Sequence, residues 1–320
     1  MSSENPKLYI LLISIHGLIR GQDLELGRDA DNGGQTLYVV ELARALGQRD
    51  DVERVDLVTR RIVDPAVSED YANAEEALSD KVRIIRIDAG PEEYIPKEQL
   101  WDHLDSFTDN LVDWIREQPR VPDVVHSHYA DAGYAGVRLA NLGAIPLVHT
   151  GHSLGRDKRK QLLAKGLSAE EIETTYNMSR RVNAEEELLA NADLVITSTR
   201  NEIESQYGLY DYYDPDCMNV IPPGTNLERY YPAAEGETSD YQEKLRPFLT
   251  NLDKPVVLAL SRPDERKNIP VLLQAFQHSA RLRDAANLLL ITGNREDVRD
   301  LDAGAQSVLT QILLDIDDLA

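Results

Sequence analysis

The sequence predicts an α/β protein built on a doubly wound parallel sheet, followed by a second, smaller unit of the same kind. Three observations carry that expectation. Short runs rich in aliphatic and β-branched residues recur through residues 1–223. Longer stretches of helical apolar spacing follow most of them, the alternation of a sheet covered on both faces. After Ile221-Pro222-Pro223-Gly224 and a polar stretch to about Lys254, the alternation restarts.

The first run, Leu8–Ile15, is about half the length of a membrane span and has no basic stretch before it, so it reads as a buried strand. Further strands are expected at Val55–Thr59, Val82–Ile87, Val124–His126, Pro146–His149, Leu194–Thr197 and Val220–Pro222. Helices are expected at Thr36–Gly47, Lys97–Arg116, Ala132–Leu142, Ala169–Ala190 and Asn201–Tyr207. Residues 224–254 read as a hinge, with one helix near Ser239–Leu249. Residues 255–320 supply strands Val256–Leu260 and Asn287–Thr292 and helices Asn268–Arg283 and Ala303–Leu319. Two strands leave both sheet edges and much apolar surface open. The second domain is therefore expected to be completed by a missing C-terminal segment or by a partner chain.

Composition narrows the function. With 34 Lys and Arg against 56 Asp and Glu, the chain carries −22. A surface so acidic repels phosphate backbones and anionic headgroups, which argues against nucleic-acid and membrane-surface partners. A small anionic substrate needs only a few local cations. Cys217 is the single cysteine, which excludes an internal disulfide and fits a reducing cytoplasm.

Several motifs compete for the chemistry. Gly151-His152-Ser153-Leu154-Gly155 fits the nucleophile elbow of hydrolases. Only His278 lies downstream to complete a triad, and Arg156–Lys160 are too charged for a helix that packs on the sheet. Asp29 and Asp31 suggest a calcium loop, but it is one residue short before Gly33, and Val40 stands where a glutamate is needed. The pair Gly33-Gly34 before a helix suits a diphosphate, because bare backbone lets a ligand reach free N–H groups at the positive dipole end. A plain glycine-rich turn is the alternative. His126, His128, His149 and His152 stand at or near strand carboxyl ends, where ligand contact or a satisfied interior histidine is favoured over zinc. Lys97, Lys158, Arg180 and Arg181 are scattered cations. Lys97 opens a helix, where a cation opposes the dipole, and so leans toward an anion. Arg262 to Asn268, after a strand and opening a helix, form a second candidate anion site.

Taken in order, eight stretches resemble the sucrose-phosphate synthase family of retaining glycosyltransferases. They are His16–Gly21, Glu25–Gln35, Tyr38–Leu46, Tyr94–Leu100, His128–Gly133, Gly151–Lys158, Ile221–Gly224 and Arg262–Asn268. The resemblance implies the GT-B architecture, two Rossmann-like domains closing about the hinge, the second incomplete here. It implies transfer of glucose from UDP-glucose to fructose 6-phosphate, giving sucrose 6-phosphate. By the same resemblance Gly33, Gly34 and Gln35 lie at the donor–acceptor junction, the two latter on the fructosyl unit. Lys97, Lys158, Arg180 and Arg181 would hold the acceptor phosphate, and His152 would be catalytic, contacting the transferred glucose. Arg262 and Lys267 would neutralise the departing UDP, so that no metal is obligatory and Mg²⁺ is at most stimulatory. The family's E-x₇-E motif falls outside these 320 residues, so turnover by them alone is not expected. Sucrose synthases, which take unphosphorylated fructose, and mannosylfructose-phosphate synthases, which use GDP-mannose, are the near alternatives. A non-catalytic sugar-phosphate-binding subunit is the alternative from another class.

Overall fold

A computed structural model describes residues 6–232, 234, 241–249, 251–292, 297–301 and 303–317. The chain forms two compact units, residues 1–226 and 227–320. In the first, an eight-stranded sheet has the order β3-β4-β2-β1-β5-β6-β7-β8. Its strands are β1 Leu8–Ile13, β2 Val52–Arg60, β3 Glu75–Ala77, β4 Val82–Ile87, β5 Val124–His128, β6 Leu147–Thr150, β7 Leu194–Thr197 and β8 Met218–Val220. All pairings are parallel except that of β3 with β4. Chain order reverses direction between β1 and β5, and the crevice at such a switch point is where open α/β sheets bind ligands.

Alternation along β1 explains why its run is apolar throughout. Ile10 and Leu12 pack with Val39, Val40 and Ala43 of α1 (Gly34–Gly47). Leu11 and Ile13 pack on the other face with Phe107 and Leu111 of α2 (Leu104–Arg116) and Ala132 and Ala135 of α3 (Tyr129–Gly143). In α2 the buried residues Leu104, Phe107, Thr108, Leu111 and Ile115 recur at helical spacing.

The second unit pairs β9 (Val256–Ser261) with β10 (Asn287–Thr292) in parallel. Its helices are α7 Tyr241–Leu245, α8 Ile269–Gln277, α9 Ala280–Ala285 and α10 Ala303–Asp317. Ile269, Leu273 and Ile312 form its small core. Leu258 and Leu260 of β9 are 56% and 70% exposed, so the strand's apolar character is only partly used among the described residues.

Several elements differ from expectation. The helix expected over Lys97–Arg116 begins as a 3-10 segment, Lys97–His103. The helix expected over Ala169–Ala190 breaks at Asn177, whose left-handed φ of +47° ends α5 (Ala169–Tyr176) and starts α6 (Met178–Leu189). Asn tolerates that region better than other side chains do. The helix expected over Asn201–Tyr207 is a π-turn, Glu202–Gln206, followed by a short 3-10 turn. The helix expected over Asn268–Arg283 is interrupted at His278-Ser279, where the Ser279 hydroxyl caps α9. Unanticipated α4 (Gly155–Ala164) buries only Gly155, so its charged run does not enter the core. Strand β3, unanticipated too, is Glu75-Glu76-Ala77, which has no strand propensity and is fixed by pairing with β4. Ser239, Asp240, Asp318 and Leu319, the ends of two expected helices, lie outside the described residues.

Gly17, after β1, holds φ +85°, and a Cβ there would meet the Asp31 carbonyl oxygen at 2.8 Å. Backbone, not a flexible side chain, would have to move. Gly17→Ala is expected to cost about 1–3 kcal/mol, read as a lower urea midpoint at unchanged slope. Gly34→Ala, where a Cβ meets no protein atom and the backbone is helical, should leave the midpoint unchanged or raised.

Candidate functional site

The loop before α1 is built by short polar side chains. Asp29 Oδ1 accepts from the backbone N–H of Asp31 and Asn32 and from the Asn32 amide. Asn32 Oδ1 accepts from Leu18 N at 2.7 Å, and Asn32 Nδ2 donates to the Tyr94 hydroxyl at 2.9 Å. These bonds give the Asp29 carboxylate a structural role within the loop. The loop delivers Gly33 and Gly34 to the α1 N-terminus, where no side chain caps the helix. A Cβ at either glycine would meet nothing within 4 Å, so internal packing does not require glycine there. What the pair preserves is bare backbone at a helix N-terminus, suited to a ligand's oxygens. Gln35 donates to Ser14 Oγ at 3.3 Å, on the segment after β1.

Lys97 has a partner inside the protein. Its backbone N–H donates to Asp31 Oδ2 at 2.8 Å, and its ammonium is ion-paired with Asp31 Oδ1. A second carboxylate, Glu98, stands 3.4 Å from that ammonium. Burial alone would lower the Lys97 pKa, but the two carboxylates outweigh it and the net shift is upward. For Asp31, burial raises the pKa and is outweighed by Lys97 and His16, which leave the carboxyl below its ordinary range. The unfavourable cation at this helix start is thus explained within the chain.

Arg181, 3% exposed, donates through Nε to Glu185 Oε1 at 2.9 Å, one helical turn along α6, and through Nη2 to Ser153 O at 2.7 Å. Glu185 accepts in addition from Gly155 N and from the Tyr210 hydroxyl. This buried pair therefore clamps the Gly151–Gly155 turn. Ser153 Oγ accepts from Arg181 at 3.3 Å and, among the described residues, has no histidine as a hydrogen-bond partner, which removes the nucleophile-elbow arrangement.

Lys97, Lys158, Arg181, Tyr129, Asp131 and Tyr176 share the walls of one narrow pocket. The Lys158 ammonium sits 3.9 Å from the Tyr176 ring centroid, and the Arg181 guanidinium 4.6 Å from that of Tyr129. Arg180 is not among the wall residues. It donates to Asp102 at 2.5 Å and to the Trp101 carbonyl, on the 3-10 segment. A larger polar cavity of about 340 Å³ lies near β3, between Arg20, Arg44, Asp70, Glu75 and Glu76. Its carboxylates outnumber its arginines, which disfavours a phosphate.

Five histidines gather at the sheet end. His16 Nδ1 is 2.7 Å from Asp131 Oδ2. His126 Nε2 bonds Thr150 Oγ1 at 2.9 Å, and His149 Nδ1 bonds Ser127 Oγ at 2.9 Å. His128 Nδ1 bonds His152 Nε2 at 3.1 Å. Burial, then the neighbouring imidazoles, push His126 down to about 3 and His128 and His149 well below the usual range. Burial of much of its ring, then His16, lowers His152 to about 4. Each of these rings has one nitrogen engaged by a carboxylate, a hydroxyl or another imidazole. Among the described residues no cluster of three or more His, Cys, Asp or Glu is arranged to hold a metal. Tyr129 and His152 adopt φ of +77° and +56°, strained values concentrated at this end of the sheet.

In the second unit Arg262 is half-buried and Lys267 exposed, both in the turn from β9 into α8. The intervening Asp264 pairs with Arg266, which with the Arg266 backbone bond holds its carboxyl down to about 2 despite partial burial. Asp31, Glu185, Tyr129 and Asp131 were not anticipated as parts of the site. Only the Arg181–Glu185 spacing of four on one helix carried a local signal.

A family model described as Glycosyltransferase Family 4 matches residues 32–229. The chain is 42% identical over 371 residues to a probable sucrose-phosphate synthase 2 of Arabidopsis thaliana, covering 98% of this chain and 35% of that protein. A sucrose-phosphate synthase of Zea mays is 42% identical over 382 residues, covering 98% and 36% respectively. The chain spans about a third of the length of the curated relatives it matches. The solved sucrose-phosphate synthase from Thermosynechococcus elongatus has a TM-score of 0.70 at 28% identity, covering 98% of this chain and 69% of that one. Anabaena HepE in complex with UDP and glucose shares the fold, with a TM-score of 0.57 at 16% identity, over 98% and 66%. No helix among the described residues is long and apolar enough to cross a membrane.

The buried histidines make stability depend on pH in a definite direction. In the unfolded chain imidazoles titrate near 6.5, so below that pH the unfolded state binds protons that folded His126, His128 and His149 refuse. Their contribution is complete above about pH 6.5 and is lost as pH falls, by up to about 1.4 kcal/mol per histidine per pH unit. Urea unfolding at pH 7.5, 6.5 and 5.5 should show a level limb and then a decline. A flat profile would contradict the burial of neutral rings.

Proposed function

Because this chain belongs to glycosyltransferase family 4 and is a homologue of the sucrose-phosphate synthases, with a GT-B fold, we propose that it carries the acceptor-binding part of a sucrose-phosphate synthase. That enzyme transfers glucose from UDP-glucose to fructose 6-phosphate with retention, in a reducing cytoplasm. The observation that best supports the reading is the shared pocket of Lys97, Lys158 and Arg181, in which Lys97 is ion-paired with Asp31 of the loop that carries Gly33 and Gly34.

In this reading the acceptor phosphate sits against Lys158 and Arg181, with Lys97 adding charge moderated by Asp31 and Glu98. Arg180 stands at the edge of the group. The fructosyl hydroxyls meet Gly34 and Gln35, and Gly33 leaves room for the donor. The bond from the anomeric carbon to the UDP oxygen breaks, a bond to an acceptor hydroxyl oxygen forms, and the proton of that hydroxyl passes to the departing diphosphate. His152 contacts the transferred glucose as positive charge develops on its ring. Arg262 and Lys267 meet the negative charge of departing UDP, a role that leaves Mg²⁺ stimulatory rather than obligatory. The segment that the relatives carry beyond this chain completes the second domain.

The test is product formation by the chain extended with that segment, UDP-glucose being compared with GDP-mannose. Lys158→Ala removes a charge-assisted contact worth about 1.5–3 kcal/mol. It should raise the KM for fructose 6-phosphate about tenfold or more while leaving activity with fructose unchanged. Equal losses for both acceptors would remove the phosphate from Lys158.

A further inference from the structure

Two imidazoles bonded to each other fix each other's protons, and at this sheet end only one of the two arrangements satisfies the buried partner well. His126 and His128 lie two apart on β5 and so face the same side of the sheet, their ring centroids 4.2 Å apart. His128 is fully buried, bonds His152 Nε2 through Nδ1 at 3.1 Å, and has no partner at Nε2. His152 packs edge-on against Tyr38, ring centroids 5.0 Å apart, on a backbone at φ +56°.

If His152 donated, His128 would carry its own proton on Nε2, a buried N–H with no acceptor. Orphaned buried N–H groups are the rarer defect in folded proteins, an unused lone pair the commoner one. With both rings neutral, the alternative is that His128 Nδ1–H donates and His152 Nε2 accepts. The single proton of His152 is then on Nδ1, the remaining polar atom of a residue open to solvent.

We propose that His128 is a positioning residue that holds His152 as its Nδ1–H tautomer, so that the ring offers the bound sugar a hydrogen-bond donor and not a base. The proposal rests on the role given to His152 above and deepens it. It assigns His152 to binding a sugar oxygen, with no proton abstracted from the acceptor by this ring. It also explains why a buried histidine with an unsatisfied atom stands where a hydrophobic residue would pack at lower cost.

The tautomer can be read directly, without turnover. Long-range proton–nitrogen NMR of the chain labelled with ¹⁵N-histidine shows which ring nitrogen carries the proton, and His152→Asn identifies the His152 signals by their loss. The expected result is His152 protonated on Nδ1. In His128→Phe, which removes the donor, the Nε2–H form should rise severalfold. In His128→Asn, whose amide nitrogen can stand where Nδ1 stood, the original tautomer should return. His152 protonated on Nε2 in the unsubstituted chain overturns the proposal, as does an unchanged tautomer in His128→Phe. If His128→Phe does not fold, the unsubstituted chain and His128→Asn still decide. Undiminished turnover by His152→Ala in the extended enzyme would instead sink the catalytic reading of His152, leaving the tautomer result standing.

Discussion

The ion pair between Asp31 and Lys97 is the constraint on which the candidate site depends. One carboxylate receives both the backbone N–H and the ammonium of Lys97, so it joins the loop before α1 to the start of the 3-10 segment. The Asp31 carbonyl is the surface against which Gly17 must remain side-chain-free. The neighbouring Asn32 ties Leu18 and Tyr94 to the same loop. Three chain segments, after β1, before α1 and before α2, are thereby held in one arrangement, and the open N-terminus of α1 is a consequence. Burial of the pair, its side chains 15% and 5% exposed, makes its loss costly, because either charge left alone would remain poorly solvated.

A second buried pair, Arg181 with Glu185, does for the Gly151–Gly155 turn what Asp31 does for the glycine loop. Both pairs put cations at the pocket wall while neutralising most of their charge internally. The wall is therefore polar and preorganised without being strongly basic, which suits the small anionic substrate proposed for this acidic chain. Strain completes the arrangement. Tyr129 keeps its left-handed backbone with its ring between the edge of His16 and the guanidinium of Arg181, ring centroids 4.6 Å apart in the first contact.

Much of the fold was legible because the two signals used, apolar runs and helical spacing, report burial on two faces. Leu8–Ile15 and Val82–Ile87 are apolar for that reason. Where boundaries failed, a single residue overrode a long pattern. Asn177 divides the stretch after Ala169, and Ser279, just past the end of one helix, caps the next, though spacing on either side stays periodic. Glu75–Ala77 is a strand only by virtue of its neighbour, which no local signal reports. At the site, the cations were visible as misfits and the glycines as an open helix start. Their partners were not, because Asp31 and Lys97 are 66 residues apart and Glu185 looks like any charged residue on a helix. Position along the chain locates charge, and only the fold shows whether that charge is already answered.

The proposed function requires the first unit to recognise a phosphorylated ketose by itself. Calorimetric titration of the folded chain with fructose 6-phosphate, with fructose and with inorganic phosphate tests it most directly. Binding of the sugar phosphate, with fructose at least tenfold weaker and phosphate weaker still, is the predicted result. Equal affinity for fructose and its phosphate, or binding of neither, would contradict it.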